Sequence, residues 1–366
     1  MREIEFSDKE GIPHFPTRID AIRALIPRGS VGAELGVMRG NHSQNILQEV
    51  NPSRLYLVDP WFGRDARCNN VTTRFSEDSR VKVVRMDAIS AAGSLPALDW
   101  YVEDTANGFG VMYDNICRYD GLLKFGGFAM FDYCDRVSSR EVIRERYVAL
   151  KKCLFDHGNY ICVGVADDKA SVVFKKIKVD ENPATRTEMY RSMPKHGAGL
   201  EVGVMVGENA QELLDRTNPS SLVLIDCWDE KFTHYHSNLR LAGVPIAAGV
   251  SSSDAAFGHV KSKFKNDNRV SVVRGYFGQV AASIADQSLD LAYIDANHDY
   301  GAMLSDLRVV LPKMKNKCII AGHDWSYVKY SGVINAVLLF LKENQEFRLS
   351  GISGERWTKS FMLKRG

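Results

Sequence analysis

The sequence lacks the marks of several common protein classes. Its seven cysteines, at 68, 117, 134, 153, 162, 227 and 318, include no C-x-x-C pair. An odd number without paired spacing argues against a disulfide framework or a zinc site and suits reduced thiols packed as small apolar side chains. Nor is there a clustered triad for an iron–sulfur centre. Neither sign of charge dominates: 47 Lys and Arg stand against 45 Asp and Glu, a formal net charge of +2. Nucleic acid or an anionic membrane needs a basic footprint, so neither is an expected partner. Long hydrophobic runs are missing. The most apolar helical stretch, Val333 to Leu341, is about half the length of a bilayer span. The start, Met1 to Glu10, is polar and acidic where a signal peptide is basic and then apolar. A cytoplasmic location is expected. The G-x-G-x-x-G fingerprint is also absent, which disfavours a nicotinamide-dependent oxidoreductase.

What is present is 366 residues, 45% apolar and 25% charged, an ordinary soluble composition. That length suits two or three domains of roughly 100–200 residues. The chain is written twice. Glu34 to Trp61 (ELGVMRGNHSQNILQEVNPSRLYLVDPW) aligns without a gap with Glu201 to Trp228 (EVGVMVGENAQELLDRTNPSSLVLIDCW), with 14 of 28 positions identical at an offset of 167. The match reaches upstream to Pro16 and Pro183. RVKVVR (Arg80 to Arg85) recurs as RVSVVR (Arg269 to Arg274), where the offset has grown to 189 through a longer connection, Asp229 to Asn268. A repeat this long is a duplicated domain, with expected bounds 1–180 and 181–366 and a polar join ending in Pro183.

Each copy alternates short apolar strands with amphipathic helices. Strands are expected at Val31–Leu35, Leu55–Val58, Val81–Val84, Trp100–Val102 and Phe128–Phe131, then at Gly199–Val202, Leu222–Ile225, Val270–Val273, Leu291–Ile294 and Ile319–Ala321. Near-continuous apolar strands between helices imply a parallel sheet covered on both faces. Each copy closes with a strand pair expected to turn around Gly164 or Gly351. The fold class is α/β: two doubly wound, mostly parallel, Rossmann-like domains, each ending in an antiparallel hairpin.

In such sheets ligands sit beyond the carboxyl ends of the strands. The first strand ends in E-x-G-x-x-x-G, as Glu34, Gly36, Gly40 and as Glu201, Gly203, Gly207. Glycine lets a ligand approach the backbone, and the acid would repel a pyrophosphate but suits a cationic or donor-rich ligand. The second strand ends in Asp59 or Asp226, each two residues before a tryptophan, Trp61 or Trp228. Such an acid accepts the hydroxyls of a ribose, or it simply holds a turn.

These motifs, with GVMRGNHSQNIL…NPSRLYLVDPW, YIDANHDY and IIAGHDW, resemble the class I S-adenosylmethionine-dependent methyltransferases. The longer phrases are similar to the small bacterial branch of macrocin-type and cephalosporin-pathway O-methyltransferases. The resemblance spans most of both copies. It implies that Glu34, Gly36, Gly40, Glu201, Gly203 and Gly207 face the methionine part of the cofactor, and that Asp59 and Asp226 face its ribose. It further implies an adenine contact at Asp87, which the second copy replaces with Tyr276.

The reaction centre is expected at the ends of strands four and five. In the second copy these carry Asp295, His298, His323 and Asp324. By resemblance, Asp295 and Asp324, with His323 as a less typical ligand, would bind Mg²⁺ and lower the pKa of an acceptor hydroxyl. A metal-free route makes His298 the general base, oriented by Asp295 or Asp324. In the first copy Asp104 aligns with Asp295 and Asp132 with His323, but Asn107 replaces His298 and Tyr133 replaces Asp324. The expectation is an O-methyltransferase acting on a small molecule such as a sugar or secondary metabolite, with the second copy catalytic. The competing reading is a non-catalytic duplicated fold that binds a ligand or partner. Met1 to Phe15 and Asp229 to Asn268 are the expected acceptor-contacting segments; His234 and His236 belong to the latter, and Lys261 to Lys265 is read as a solvated helix face. The copies are expected to pair as an intramolecular pseudo-dimer or to form a homo-oligomer.

Overall fold

The computed structural model describes residues 12–105, 108–134, 138–157, 159–231, 234–241, 243, 251–326, 330–355 and 358–366, with the backbone alone at 155 and 234–236. The chain divides into two compact units, Met1–Lys178 and Val179–Gly366. Among the described residues no helix is long and apolar enough to cross a membrane.

The N-terminal unit contains β1 (His14–Phe15), β2 (Val31–Leu35), β3 (Arg54–Val58), β4 (Val81–Val84), β5 (Leu98–Glu103), β6 (Leu123–Phe131), β7 (Tyr160–Ala166) and β8 (Ser171–Lys176). They form one sheet in the order β1-β7-β8-β6-β5-β2-β3-β4. The C-terminal unit contains β9 (Ala198–Val202), β10 (Ser221–Asp226), β11 (Val270–Arg274), β12 (Leu289–Ile294), β13 (Met314–Trp325), β14 (Phe347–Ile352) and β15 (Lys359–Arg365). Its order, β11-β10-β9-β12-β13-β15-β14, is that of the first sheet without β1. In each unit five strands are parallel, and the last two run antiparallel to each other, the final one also antiparallel to its parallel neighbour. The strand order reverses between β2 and β5, and between β9 and β12, which puts a crevice at the carboxyl ends of those strands.

The sequence patterns explain the helices beside that crevice. Asn41–Val50 buries Ile46, Leu47 and Val50 at helical spacing, and Glu208–Thr217 buries Leu213, Leu214 and Thr217. Both helices end on an asparagine in the left-handed region, Asn51 at φ 46° and Asn218 at φ 45°, a conformation asparagine tolerates better than most residues. Core clusters then form under these helices, around Trp61, Val71 and Trp100 in the first unit and around Trp228, Val260 and Tyr293 in the second.

One expectation needs correction. Gly164 and Gly351 do not lie in turns: they sit inside β7 and β14, where the ladder register shifts. A Cβ at Gly164 would come within 2.8 Å of Leu25 and 2.9 Å of Phe15, so the glycine marks a bulge under close packing. His14 and Phe15 are sheet residues, pairing parallel with Val165 and Ala166, while Met1 to Gly11 lie outside the described residues. The Asp229–Asn268 connection carries two helices, His234–Leu241 and Ser252–Phe264. Residues 232–233, 242 and 244–250 of it, and the side chains of His234 and His236, lie outside what is described.

Candidate active site

The first-strand loops have the same geometry in both units. Gly36 and Gly203 adopt φ of 92° and 88°, and Gly40 and Gly207 adopt 73° and 77°. A Cβ at Gly203 would meet the backbone oxygen of Asp295 at 2.0 Å, and one at Gly36 would meet that of Asp104 at 2.5 Å. The space beside the glycine, expected to admit a ligand, is therefore occupied by the end of the fourth strand. These glycines weld the first-strand loop to the loop that carries the reaction-centre acid. Gly40 and Gly207 are left-handed helix N-caps, and a Cβ on either would lie 2.9 Å from a phenyl ring, that of Phe75 or Phe264.

The second-strand acids hold these loops. Asp226 Oδ2 accepts from the backbone N–H of Val204 (2.9 Å) and Met205 (2.8 Å), and Oδ1 from that of Trp228 (2.9 Å). Asp59 does the same with Met38 (2.9 Å) and Trp61 (2.7 Å). Both tryptophans are buried core residues in the left-handed region, and each indole donates to a loop carbonyl, Met38 or Met205, at 2.9 Å. Asp87 caps the helix Ala88–Ala92 by accepting from Ser90 N at 2.9 Å, and this hydrogen bond holds its pKa below the usual carboxylate value. Lys263, expected to be solvated, donates to the Gly207 carbonyl at 2.8 Å.

The first-strand acids are fully buried. Glu201 receives one hydrogen bond, from Asn209 Nδ2 at 3.2 Å, while its Oε2 has no partner. Burial pushes its pKa up to about 8. Glu34 accepts from the Ser43 hydroxyl, and its Oε1 lies 3.2 Å from His42 Nδ1 without hydrogen-bond geometry.

At the ends of β12 and β13 the structure brings together Asp295, His298 and Asp324. His298 Nε2 is 2.7 Å from Asp324 Oδ2 and 3.9 Å from Asp295 Oδ1. One ligand atom from each lies within 4.8 Å of the others. Burial opposes charge on His298, but the hydrogen bond and charge of Asp324, then Asp295 and Asp299, outweigh it and raise its pKa above 6.5. Burial also raises the pKa of Asp295. Asp324 is held at φ 61°, and a left-handed non-glycine residue at a cluster like this is strain of a kind concentrated at functional sites. The Tyr330 ring leans on His298, centroids 4.4 Å apart at 49°.

His323 does not join this cluster. Its Nδ1 is 3.1 Å from the Ser360 hydroxyl and its Nε2 2.9 Å from that of Thr358, so both ring nitrogens face β15 and the residue before it. Ser360 in turn lies 3.2 Å from the Tyr293 hydroxyl.

In the first unit the same strand ends are closed by a cation. Arg18 Nη1 binds Asp104 Oδ2 at 2.8 Å and also Asp132 Oδ2. Asp132 Oδ1 accepts from Ser171. Burial, then repulsion from Asp132, lifts the pKa of Asp104 to about 7 against the pull of Arg18. Arg146, 1% exposed, pairs with buried Glu103 and donates to the carbonyls of Glu103, Thr105 and Asp132. Tyr133 shares the backbone conformation of Asp324, at φ 59°, and Asn107 lies outside the described residues.

Arg18 and Arg146 are not apparent from the sequence. Arg146 gives no local signal, being one basic residue in a helix, Glu141–His157, that contains several. Arg18 carries a faint one: Thr17-Arg18 and Thr185-Arg186 are both an N-cap and first helical residue, but they are out of register by one in the offset of 167. Arg186 takes a different course, lying 3.6 Å from Glu212.

Residues 200–325, within the second unit, match the family model described as a methyltransferase domain. No curated protein matches the sequence. Among solved structures, a protein assigned as an rRNA methylase from Clostridium thermocellum is 14% identical over 43% of this chain and 95% of its own, with a TM-score of 0.36. A protein assigned as a caffeoyl-CoA O-methyltransferase from Staphylococcus aureus is 14% identical over 44% and 82%, also at 0.36. A SAM-dependent methyltransferase from Aquifex aeolicus is 12% identical over 50% and 91%, at 0.35.

Proposed function

We propose that the C-terminal unit is an S-adenosylmethionine-dependent methyltransferase acting on a hydroxyl of a small molecule, with His298 as general base. The observation that carries this reading is the His298–Asp324 pair at 2.7 Å, beside Asp295 and in contact with the first-strand loop through Gly203. The methyltransferase-domain match to residues 200–325 supports it. The common strand order and loop geometry of the two units support reading the chain as a tandem duplication.

The residues present fit the cofactor. The buried, unpartnered Oε2 of Glu201 suits a donor-rich or cationic group, and the amides around Gly203 and Gly207 are already fixed by Asp226. When bound, S-adenosylmethionine supplies an electrophilic methyl group on a sulfonium. The protein's own part is alignment, exclusion of water and movement of one proton. With the Nε2 proton of His298 directed at Asp324, Nδ1 is left to accept the acceptor's hydroxyl proton. Asp324 then stabilises the imidazolium, and Tyr330 limits the tilt of the ring.

A second reading rests on the same three side chains. Asp295, His298 and Asp324 would hold a divalent cation that polarises the hydroxyl. Two carboxylates and an imidazole suit Mn²⁺ or Fe²⁺ as donors better than Mg²⁺, which favours oxygen ligands. The two readings part in one assay: release of S-adenosylhomocysteine over a panel of hydroxylated sugars and metabolites, with and without EDTA. The base reading expects turnover that survives EDTA and is lost in His298→Ala. Wild-type turnover in His298→Ala and Asp295→Ala removes the site.

A further inference from the structure

The crevice of the N-terminal unit holds a cavity of about 370 Å³ with an unusual charge pattern. Four guanidiniums line it. Arg18 is engaged by Asp104 and Asp132, and Arg146 by Glu103. The other two, Arg39 and Arg140, are exposed at the rim, and among the described residues neither guanidinium has a hydrogen-bond or ion-pair partner. The wall supplies an independent sign of a ligand. His42 is 7% exposed, lines the cavity, and its Nε2 has no hydrogen-bond partner. A buried polar atom left unpaired is costly, so a group that meets it is favoured.

The charges select what that group is. A sulfonium placed at the strand ends would lie beside the Arg18 guanidinium, with Asp104 and Asp132 both already paired to it. A methyl acceptor would find no free base there. An anion, by contrast, meets two unengaged planar forks that match carboxylate and phosphate oxygens and one buried imidazole nitrogen. Glu34 and Asp104 are the opposing charges on the wall: Asp104 is held by Arg18, and Glu34 lies beneath His42 with the Ser43 hydroxyl bound to it.

We propose that this cavity binds a small anionic ligand, a carboxylate or a phosphate, through Arg39 and Arg140 at its mouth and His42 in its wall, in place of S-adenosylmethionine. The duplication would then have produced one unit for a cationic cofactor and one for an anion. The inference does not depend on the activity assigned to the second unit.

The test is calorimetric titration of the full chain with citrate and, separately, with inorganic phosphate, at constant ionic strength. One site per chain for either anion is expected, and which anion binds distinguishes the two ligand chemistries. In an Arg39→Ala/Arg140→Ala double variant the affinity should fall at least about tenfold, the loss of one or more charged hydrogen bonds. Both arginines are exposed, so the fold should persist, and an unchanged melting transition of the N-terminal unit in scanning calorimetry checks this independently. Three results would overturn the proposal: no binding of either anion, equal binding to the double variant, or displacement of the anion by S-adenosylhomocysteine.

Discussion

In the N-terminal unit Asp104 and Asp132 share the guanidinium of Arg18; in the C-terminal unit Asp295 and Asp324 flank the imidazole of His298. The surrounding backbone is nearly the same, down to the left-handed residue at the end of the fifth strand and the glycine packed on the fourth. The difference lies in the cation. A guanidinium is permanently charged and closes the acids into a static cluster. An imidazole takes up and gives back a proton near neutral pH. One scaffold thus carries a locked centre and a titratable one, and function follows the side chains placed on the fold.

The largest effect expected of a single substitution is on turnover. His298→Ala should lower methyl transfer by about 10²–10⁴-fold, the usual worth of a positioned general base, while Asp104→Asn in the other unit should leave the rate at the wild-type level. Equal losses from both would break the comparison.

Next comes stability. Arg146→Met strands Glu103 in the core, which costs about 3–5 kcal/mol when a buried pair loses one member. Scanning calorimetry should show the N-terminal unit melting earlier, with the transition stabilised by S-adenosylhomocysteine unmoved.

A third expectation concerns Glu201, whose pKa of about 8 means that it is largely protonated at neutral pH before any ligand arrives. A cationic ligand favours the carboxylate, so binding should release a proton, and affinity should climb by up to about tenfold per pH unit below 8 and then level off. Calorimetry in two buffers of different ionisation heat reads the proton directly, and Glu201→Gln should abolish its release. The same raised pKa works against the ligand-free fold as pH rises: stability present below the ordinary carboxylate pKa is lost progressively up to about 8.

The smallest effect sharpens the role of Asp324. Its hydrogen bond is what lifts the His298 pKa against burial. Asp324→Asn should therefore move the acid limb of the pH–rate profile to lower pH, whereas a metal-binding role for the pair would leave no such shift attributable to the imidazole.

Much of the scaffold was legible in the sequence, because apolar runs, helical spacing and the repeated E-x-G-x-x-x-G and NPS motifs are local signals. The bulges at Gly164 and Gly351 were not, since a glycine in a turn and a glycine in a kinked strand look alike without the Leu25 and Phe15 side chains that pack on one of them. At the centre, Asp295, His298 and Asp324 were singled out from their position at the ends of strands four and five, and the structure brings the three side chains together. That His323 turns to Ser360 and Thr358 could not be foreseen, because alternation along a strand assigns a face and not a partner. Arg18 was hidden for a similar reason: its partners are 86 and 114 residues away in the chain, and long-range ion pairs leave no trace in local spacing.

On the proposed reading, the contrast between the units comes down to one crevice being competent for the cofactor and the other not. Calorimetric titration of the full chain with S-adenosylhomocysteine bears on this without any knowledge of the acceptor. One site per chain is predicted, weakened by Glu201→Gln and untouched by Glu34→Gln. Two sites, or a single site that responds to Glu34 and not to Glu201, would contradict it, and no binding at all would favour a duplicated fold that has kept the shape of a methyltransferase without its cofactor.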